Sequence, residues 1–129
     1  MGKKVGTLSG GRTRHYRELV VWRRAMELAR EVYAGTEAFP KNEMFGLQIQ
    51  LRRAAVSVPS NLAEGHGRLN DGHFRQFLAN ARGSLFELQT QLELANGLGF
   101  IESDRFNGVM EKCEDVARLI NGLLRSLEE

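Results

Sequence analysis

The chain has 129 residues and 42% hydrophobic and 26% charged composition, which makes one ordinary globular domain that buries a core without staples. Its single cysteine, Cys113, excludes an internal disulfide and fits a reducing, cytoplasmic setting, and its short apolar runs exclude a membrane span. The net charge of +2 is uneven: residues 1–82 carry 14 Lys/Arg against 7 Asp/Glu and residues 83–129 carry 4 against 9, which suggests an anionic partner for one face or head-to-tail self-association.

Residues 1–15, MGKKVGTLSGGRTRH, are rich in Gly, Ser, Thr and basic residues and have no acidic ones. They cannot build a core and lack the apolar stretch of a secretory signal. Residues 1–16 are therefore set apart as a disordered tail and 17–129 as the folded domain. The tail is either inert or a basic arm whose Lys3, Lys4, Arg12 and Arg14 dock on phosphates.

Four helices follow. The first is expected over 17–38, where Trp22, Met26, Ala29 and Tyr33 step by four, three and four, and Val21, Ala25, Leu28 and Val32 form a second stripe. Pro40 ends it. The second is expected over 44–67, through Leu47, Leu51, Ala54, Val58 and Leu62. Its stretch SVPSNLAEGHGR puts Pro59 inside the apolar stripe, so the helix is expected to continue with a kink. Ser57 or Ser60 would satisfy a backbone group freed there. The third is expected over 71–97 on Phe74, Leu78, Ala81, Leu85, Leu88, Leu92 and Ala95, ending at Gly97-Leu98-Gly99. The fourth opens at Ser103, a suitable N-cap, and runs through Phe106, Met110, Cys113, Ala117, Ile120, Leu124 and Leu127. Phe77, Val109, Val116 and Leu123 fall outside the stripes, to thicken the core or meet another subunit. Alternating steps of four and three join helices nearly side by side, and short connections make neighbours antiparallel. The fold class is all-α, an up-down-up-down four-helix bundle.

Polar residues share faces too. Ser57, Asn61 and Glu64 step by four and three on the second helix, and Ser84, Glu87 and Gln91 by three and four on the third. The two stripes are expected to meet as a structural network, with Arg53 or Arg68 pairing Glu64 or Glu87. A catalytic or metal-binding Glu64–Glu87 pair is the competing reading, but the Glu-x-x-His spacing of di-metal bundles is missing. No Gly-rich phosphate loop or Cys/His zinc spacing is present, so no cofactor or metal is expected. His15, His66 and His73 fall in the tail or beside a turn, and Cys113 lies on an apolar stripe.

The segments LVVWRRAMELAREVY, FGLQIQLRRAAVSVPSNLAEGHGR and FRQFLANARGSLFELQTQLELANGLGFI resemble the 23S ribosomal RNA intervening-sequence protein family of small bacterial four-helix bundles. The resemblance covers about residues 18–127. It implies an antiparallel bundle and a ring-like homo-pentamer. It also implies a distant relation to the accessory variability proteins of retroelements, which bind nucleic acid and a reverse transcriptase through a basic surface. On that basis Arg52, Arg53 and Arg68 become candidate nucleic-acid contacts. The expected function is a non-enzymatic oligomeric accessory protein that binds RNA or DNA. The alternative is a protein-interaction scaffold that ignores nucleic acid.

Overall fold

The computed structural model describes residues 15–68 and 70–128. Lys3, Lys4, Arg12 and Arg14, and with them the expected disorder of the tail, lie outside the described residues. Among the described residues there are four α-helices and no strand: α1 (Val20–Thr36), α2 (Leu47–His66), α3 (Asp71–Gly97) and α4 (Ser103–Leu127). Each helix packs on the next and α1 also packs on α4, while among the described residues the diagonal pairs α1–α3 and α2–α4 do not approach closely along their backbones. Paired positions rise on one helix as they fall on its neighbour. Gln50 and Ser57 of α2 reach Gln91 and Ser84 of α3, while Arg75 and Arg82 of α3 reach Leu127 and Asn121 of α4. This is an up-down-up-down bundle.

Local chemistry sets the helix ends. The first helix starts later than its apolar pattern suggests, because Tyr16–Glu18 forms a separate 3-10 turn and Leu19 is extended at φ −72°, ψ 125°. It stops at Thr36, whose buried hydroxyl donates to the Val32 carbonyl at 2.8 Å. A second 3-10 turn, Lys41–Glu43, precedes α2, and Glu43 Oε1 accepts from the Leu47 amide at 2.9 Å. Asn70 caps α3 by accepting from the His73 amide at 3.1 Å. At the other end Gly99 takes φ +80°, a region other residues avoid. Its amide donates to Asn96 and the Phe100 amide to Ala95, the paired bonds of a Schellman motif. Phe100 then packs its ring 5.6 Å from that of Phe39. The expectation for α4 is corrected by one residue. Ser103 is the first helical position, and the extended Glu102 occupies the cap without a side-chain bond.

Core phase differs from the apolar stripes in two helices. In α1, Val21, Ala25, Leu28 and Val32 are buried, whereas Trp22 and Met26 are half-buried and Tyr33 is exposed. In α4, Val109, Cys113, Val116 and Ile120 face the core, and Phe106, Met110, Ala117 and Leu124 are half-buried. Val109 and Val116 thus thicken the core rather than face another subunit. In α2 and α3 the expected stripes are the buried ones, and each fully enclosed leucine contributes about 1.5–3 kcal/mol.

Pro59 sits inside α2 without interrupting it. The small residues around it allow close approach by α3. Gly65 marks the tightest point, where an added Cβ would stand 2.6 Å from the Phe77 Cβ. The Pro-Ser-Asn and Gly-containing stretch is therefore a packing joint between α2 and α3.

Candidate functional site

The α2–α3 seam carries a polar ladder on one side of the core. Ser57 Oγ and Ser84 Oγ lie 2.7 Å apart. The Asn61 side-chain amide donates to the Ser57 carbonyl at 2.9 Å and to its hydroxyl at 3.0 Å. Ser57 is thus turned toward α3 rather than toward the backbone around Pro59. Higher on the seam, Gln91 Nε2 donates to Gln50 at 3.5 Å and to Glu87 at 3.4 Å. Gln91 Oε1 is buried with no hydrogen-bond partner.

The two glutamates of the expected network stand apart. The register that sets Ser57 opposite Ser84 puts Glu64 level with Phe77. Glu87 is about ten residues of helix away from that level, or about 15 Å along the axis. Glu64 instead pairs with Arg68 in its own turn region at 3.3 Å. Both carboxylates are exposed. They do not form an acid–base pair, and among the described residues no cluster of three or more His, Cys, Asp or Glu could hold a metal.

The three candidate arginines differ in situation. Arg52 is bound into the fold: Nε donates to Thr36 Oγ1 at 2.8 Å, Nη2 to the Tyr33 carbonyl at 3.2 Å, and Nη2 also meets Glu37 at 3.4 Å. Its guanidinium lies over the Tyr33 ring, 4.5 Å from the centroid. Arg68 pairs with Glu64 and covers the Phe77 ring at 4.9 Å. Arg53 is exposed and has no hydrogen bond or ion pair among the described residues.

Cys113 is fully enclosed by the core. Burial, with the Glu114 carboxylate adding to it, pushes its thiol up to about 12, so the thiolate is not formed near neutral pH. His73 is exposed and His66 half-buried. His15 accepts from the Arg17 amide at 3.3 Å and so caps the first 3-10 turn.

A second surface lies on the outside of α1 and α2. An open groove of about 530 Å³ is walled by Trp22, Met26 and Tyr33 of α1 and by Val56, Pro59 and Ala63 of α2, with Arg30 at its edge. Tyr16 closes one end, its ring 5.2 Å from that of Trp22 and nearly edge-on. A recess of about 290 Å³ continues past Tyr33 to Arg53. Periodicity assigned Trp22, Met26 and Tyr33 to the core. The available signal was the doubled width of the α1 stripe, too broad for one helix to bury. No helix among the described residues is long and apolar enough to cross a membrane.

A family model described as 23S rRNA-intervening sequence protein matches residues 17–122. No curated protein matches the chain. Among solved structures, a protein of unknown function from the S23 ribosomal protein family of Bacteroides thetaiotaomicron VPI-5482 is similar, with a TM-score of 0.74 at 18% identity. The match covers 81% of this chain and 98% of that one, and it is a likeness of fold.

Proposed function

From the premise that the chain belongs to the 23S rRNA-intervening sequence protein family, we propose that it is a non-enzymatic, oligomeric accessory protein that binds nucleic acid through basic residues. The charge distribution carries this reading. Residues 15–128 hold 14 Lys/Arg and 15 Asp/Glu, so the positive excess is concentrated in Lys3, Lys4, Arg12 and Arg14. Exposed Arg17, Arg23 and Arg24 follow where α1 begins. Cations close together in sequence are suited to neutralising phosphates without reading base edges. Arg53 extends the cationic surface. Arg52 serves the fold, since its donors are engaged on Thr36, Tyr33 and Glu37.

Two charge-removal variants test this reading by fluorescence anisotropy on a structured RNA and a duplex DNA. Changing Lys3, Lys4, Arg12 and Arg14 together to Ala should lower affinity at least about tenfold for both. Changing Arg53 and Arg68 to Ala should lower it less. Full retention of binding in the first variant contradicts the assignment. The groove on α1 and α2 favours a second reading, a protein-interaction scaffold, which predicts no binding to either nucleic acid.

A further inference from the structure

We propose that the end of the bundle formed by the α1–α2 and α3–α4 connections docks a cationic polypeptide segment that carries apolar anchors. Four of the eight large apolar side chains exposed among the described residues sit there: Met44, Phe45, Leu94 and Leu98. Phe45 is 90% exposed, the most open of the eight. An apolar group left this open forfeits its burial in the fold, and several at one end mark a surface that a partner covers.

The turn before α2 explains where Phe45 stands. The Met44 amide donates to the Lys41 carbonyl at 3.1 Å and the Gly46 amide to the Glu43 carbonyl at 3.0 Å. Glu43 Oε1, held on the Leu47 amide, ties the turn to the helix. Glycine suits position 46, since an added Cβ would stand 2.7 Å from that carboxylate oxygen. Phe45 is thus presented on a hydrogen-bonded turn, which lowers the entropy lost when it enters a partner's pocket. Register brings the α3 residues to the same end. The step of seven from Ser57 to Gln50 on α2 is matched by the step of seven from Ser84 to Gln91 on α3. Three residues further in the same sense, Leu94 stands level with Leu47 at the start of α2. Leu98 lies seven residues beyond Gln91, and its amide still donates to the Leu94 carbonyl at 2.9 Å. It therefore keeps the helical phase of Gln91 and shares its α2-facing side. The Phe39 and Phe100 rings, 5.6 Å apart, tie the two connections together.

Charge selects the occupant. Residues 37–46 and 93–105 hold five acidic residues, Glu37, Glu43, Glu93, Glu102 and Asp104, against Lys41 and Arg105. Even with Glu37 paired to Arg52 at 3.4 Å, this end stays negative. Glu93, Glu102 and Asp104 are exposed. Such a surface repels an anionic lipid layer or a nucleic acid. A polypeptide with Lys or Arg beside Leu or Phe matches both the apolar patch and its acidic rim. The site goes beyond the nucleic-acid reading and lies apart from the cations assigned to it. Val20, where the chain enters α1, stands about 24 Å of helix from Thr36, so residues 1–14 join the bundle at its other end.

Fluorescence anisotropy on the full chain tests the site, with melting curves to confirm folding. The probe is a labelled amphipathic peptide of Leu and Lys, and a peptide of Leu and Glu with the same spacing is its control. The Leu/Lys peptide is expected to bind saturably and the Leu/Glu peptide not to bind. Phe45→Ser should weaken binding at least about tenfold. Glu102→Lys with Asp104→Lys should also weaken it about tenfold. Val20→Ser, at an exposed position on the other end, should leave it unchanged. If Phe45→Ser fails to fold, Leu98→Ser carries the same expectation. Absence of binding, equal affinity for the two peptides, or a folded Phe45→Ser that binds as the wild type does overturns the proposal. Wild-type binding to vesicles of phosphatidylcholine and phosphatidylserine that Phe45→Ser abolishes assigns this end to a lipid surface and overturns it too. So does a gain of about tenfold in peptide affinity when Lys3, Lys4, Arg12 and Arg14 are changed to Ala, which makes residues 1–14 the occupant. RNA affinity should be the same in Phe45→Ser and the wild type; a fall there makes this end part of the RNA surface and overturns the polypeptide site. Peptide binding without RNA binding supports this site while removing the nucleic-acid reading, and RNA binding without peptide binding does the reverse.

Discussion

Ser57 and Ser84 hold their hydroxyl oxygens 2.7 Å apart across the α2–α3 seam, and Asn61 donates to the same Ser57 oxygen. This small-residue contact lets the two longest-paired helices lie close while leaving no hydroxyl stranded. Ser57→Ala removes the shared partner of Ser84 and Asn61, so it should destabilise by about 1–2 kcal/mol. Ser84→Ala should cost less, because Ser57 keeps Asn61. The double variant should be less destabilised than the summed singles, and urea unfolding of all four proteins measures that coupling.

Gly65 and Gly108 form a controlled pair. An alanine Cβ at Gly65 would meet the Phe77 Cβ at 2.6 Å, while at Gly108 it would meet nothing within 4 Å. Overpacking at Gly65 should outweigh the gain in helix propensity and destabilise by about 1–3 kcal/mol. Gly108→Ala, with propensity alone at work, should stabilise by up to about 1 kcal/mol. Thermal melts of the two variants should shift in opposite directions.

Arg52 and Arg53 are adjacent in sequence but should respond differently. Arg52→Ala strips Thr36, Tyr33 and Glu37 of a common donor and uncovers the Tyr33 ring, so a loss of about 1–3 kcal/mol is expected. Lys at this position cannot reproduce the fork and should rescue little. Arg53→Ala should leave stability within about 0.5 kcal/mol of wild type. Chemical denaturation distinguishes the two.

Cys113 links folding to alkaline pH. Its folded-state pKa is about 12, above the ordinary 9.0. The unfolded chain therefore releases the thiol proton first. The contribution of the thiol is fully present below pH 9 and is lost progressively between pH 9 and 12. Stability of the wild type relative to Cys113→Ala should fall across that window. Alkylation of native protein at neutral pH should be slow and should accelerate on unfolding; rapid native labelling would contradict the enclosure.

Much of the fold was legible because the apolar period was strong in all four helices, but period does not fix phase. In α1 and α4 two adjacent stripes are apolar, and packing against the neighbours decides which turns inward. Val21 and Leu28 go to the centre while Trp22 and Tyr33 border the outer groove, and Val109 and Val116 displace Phe106 and Met110. The Ser57, Asn61 and Ser84 contacts were visible as matching polar steps. The relation of Glu64 to Glu87 was not, because a shared face says nothing about the level at which antiparallel helices meet. The groove itself depends on two helices seen together, so no single-helix pattern revealed it.

The most direct test of the proposed function is the affinity of the full chain for a structured RNA across a salt series. Four cations in residues 1–14, with Arg53 and the arginines beginning α1, predict that log K falls linearly with log salt, at a slope of about −3 or steeper. That result supports a phosphate-binding accessory protein. An affinity that is negligible near physiological salt, or that is independent of salt, contradicts it and leaves the bundle as a protein-binding scaffold.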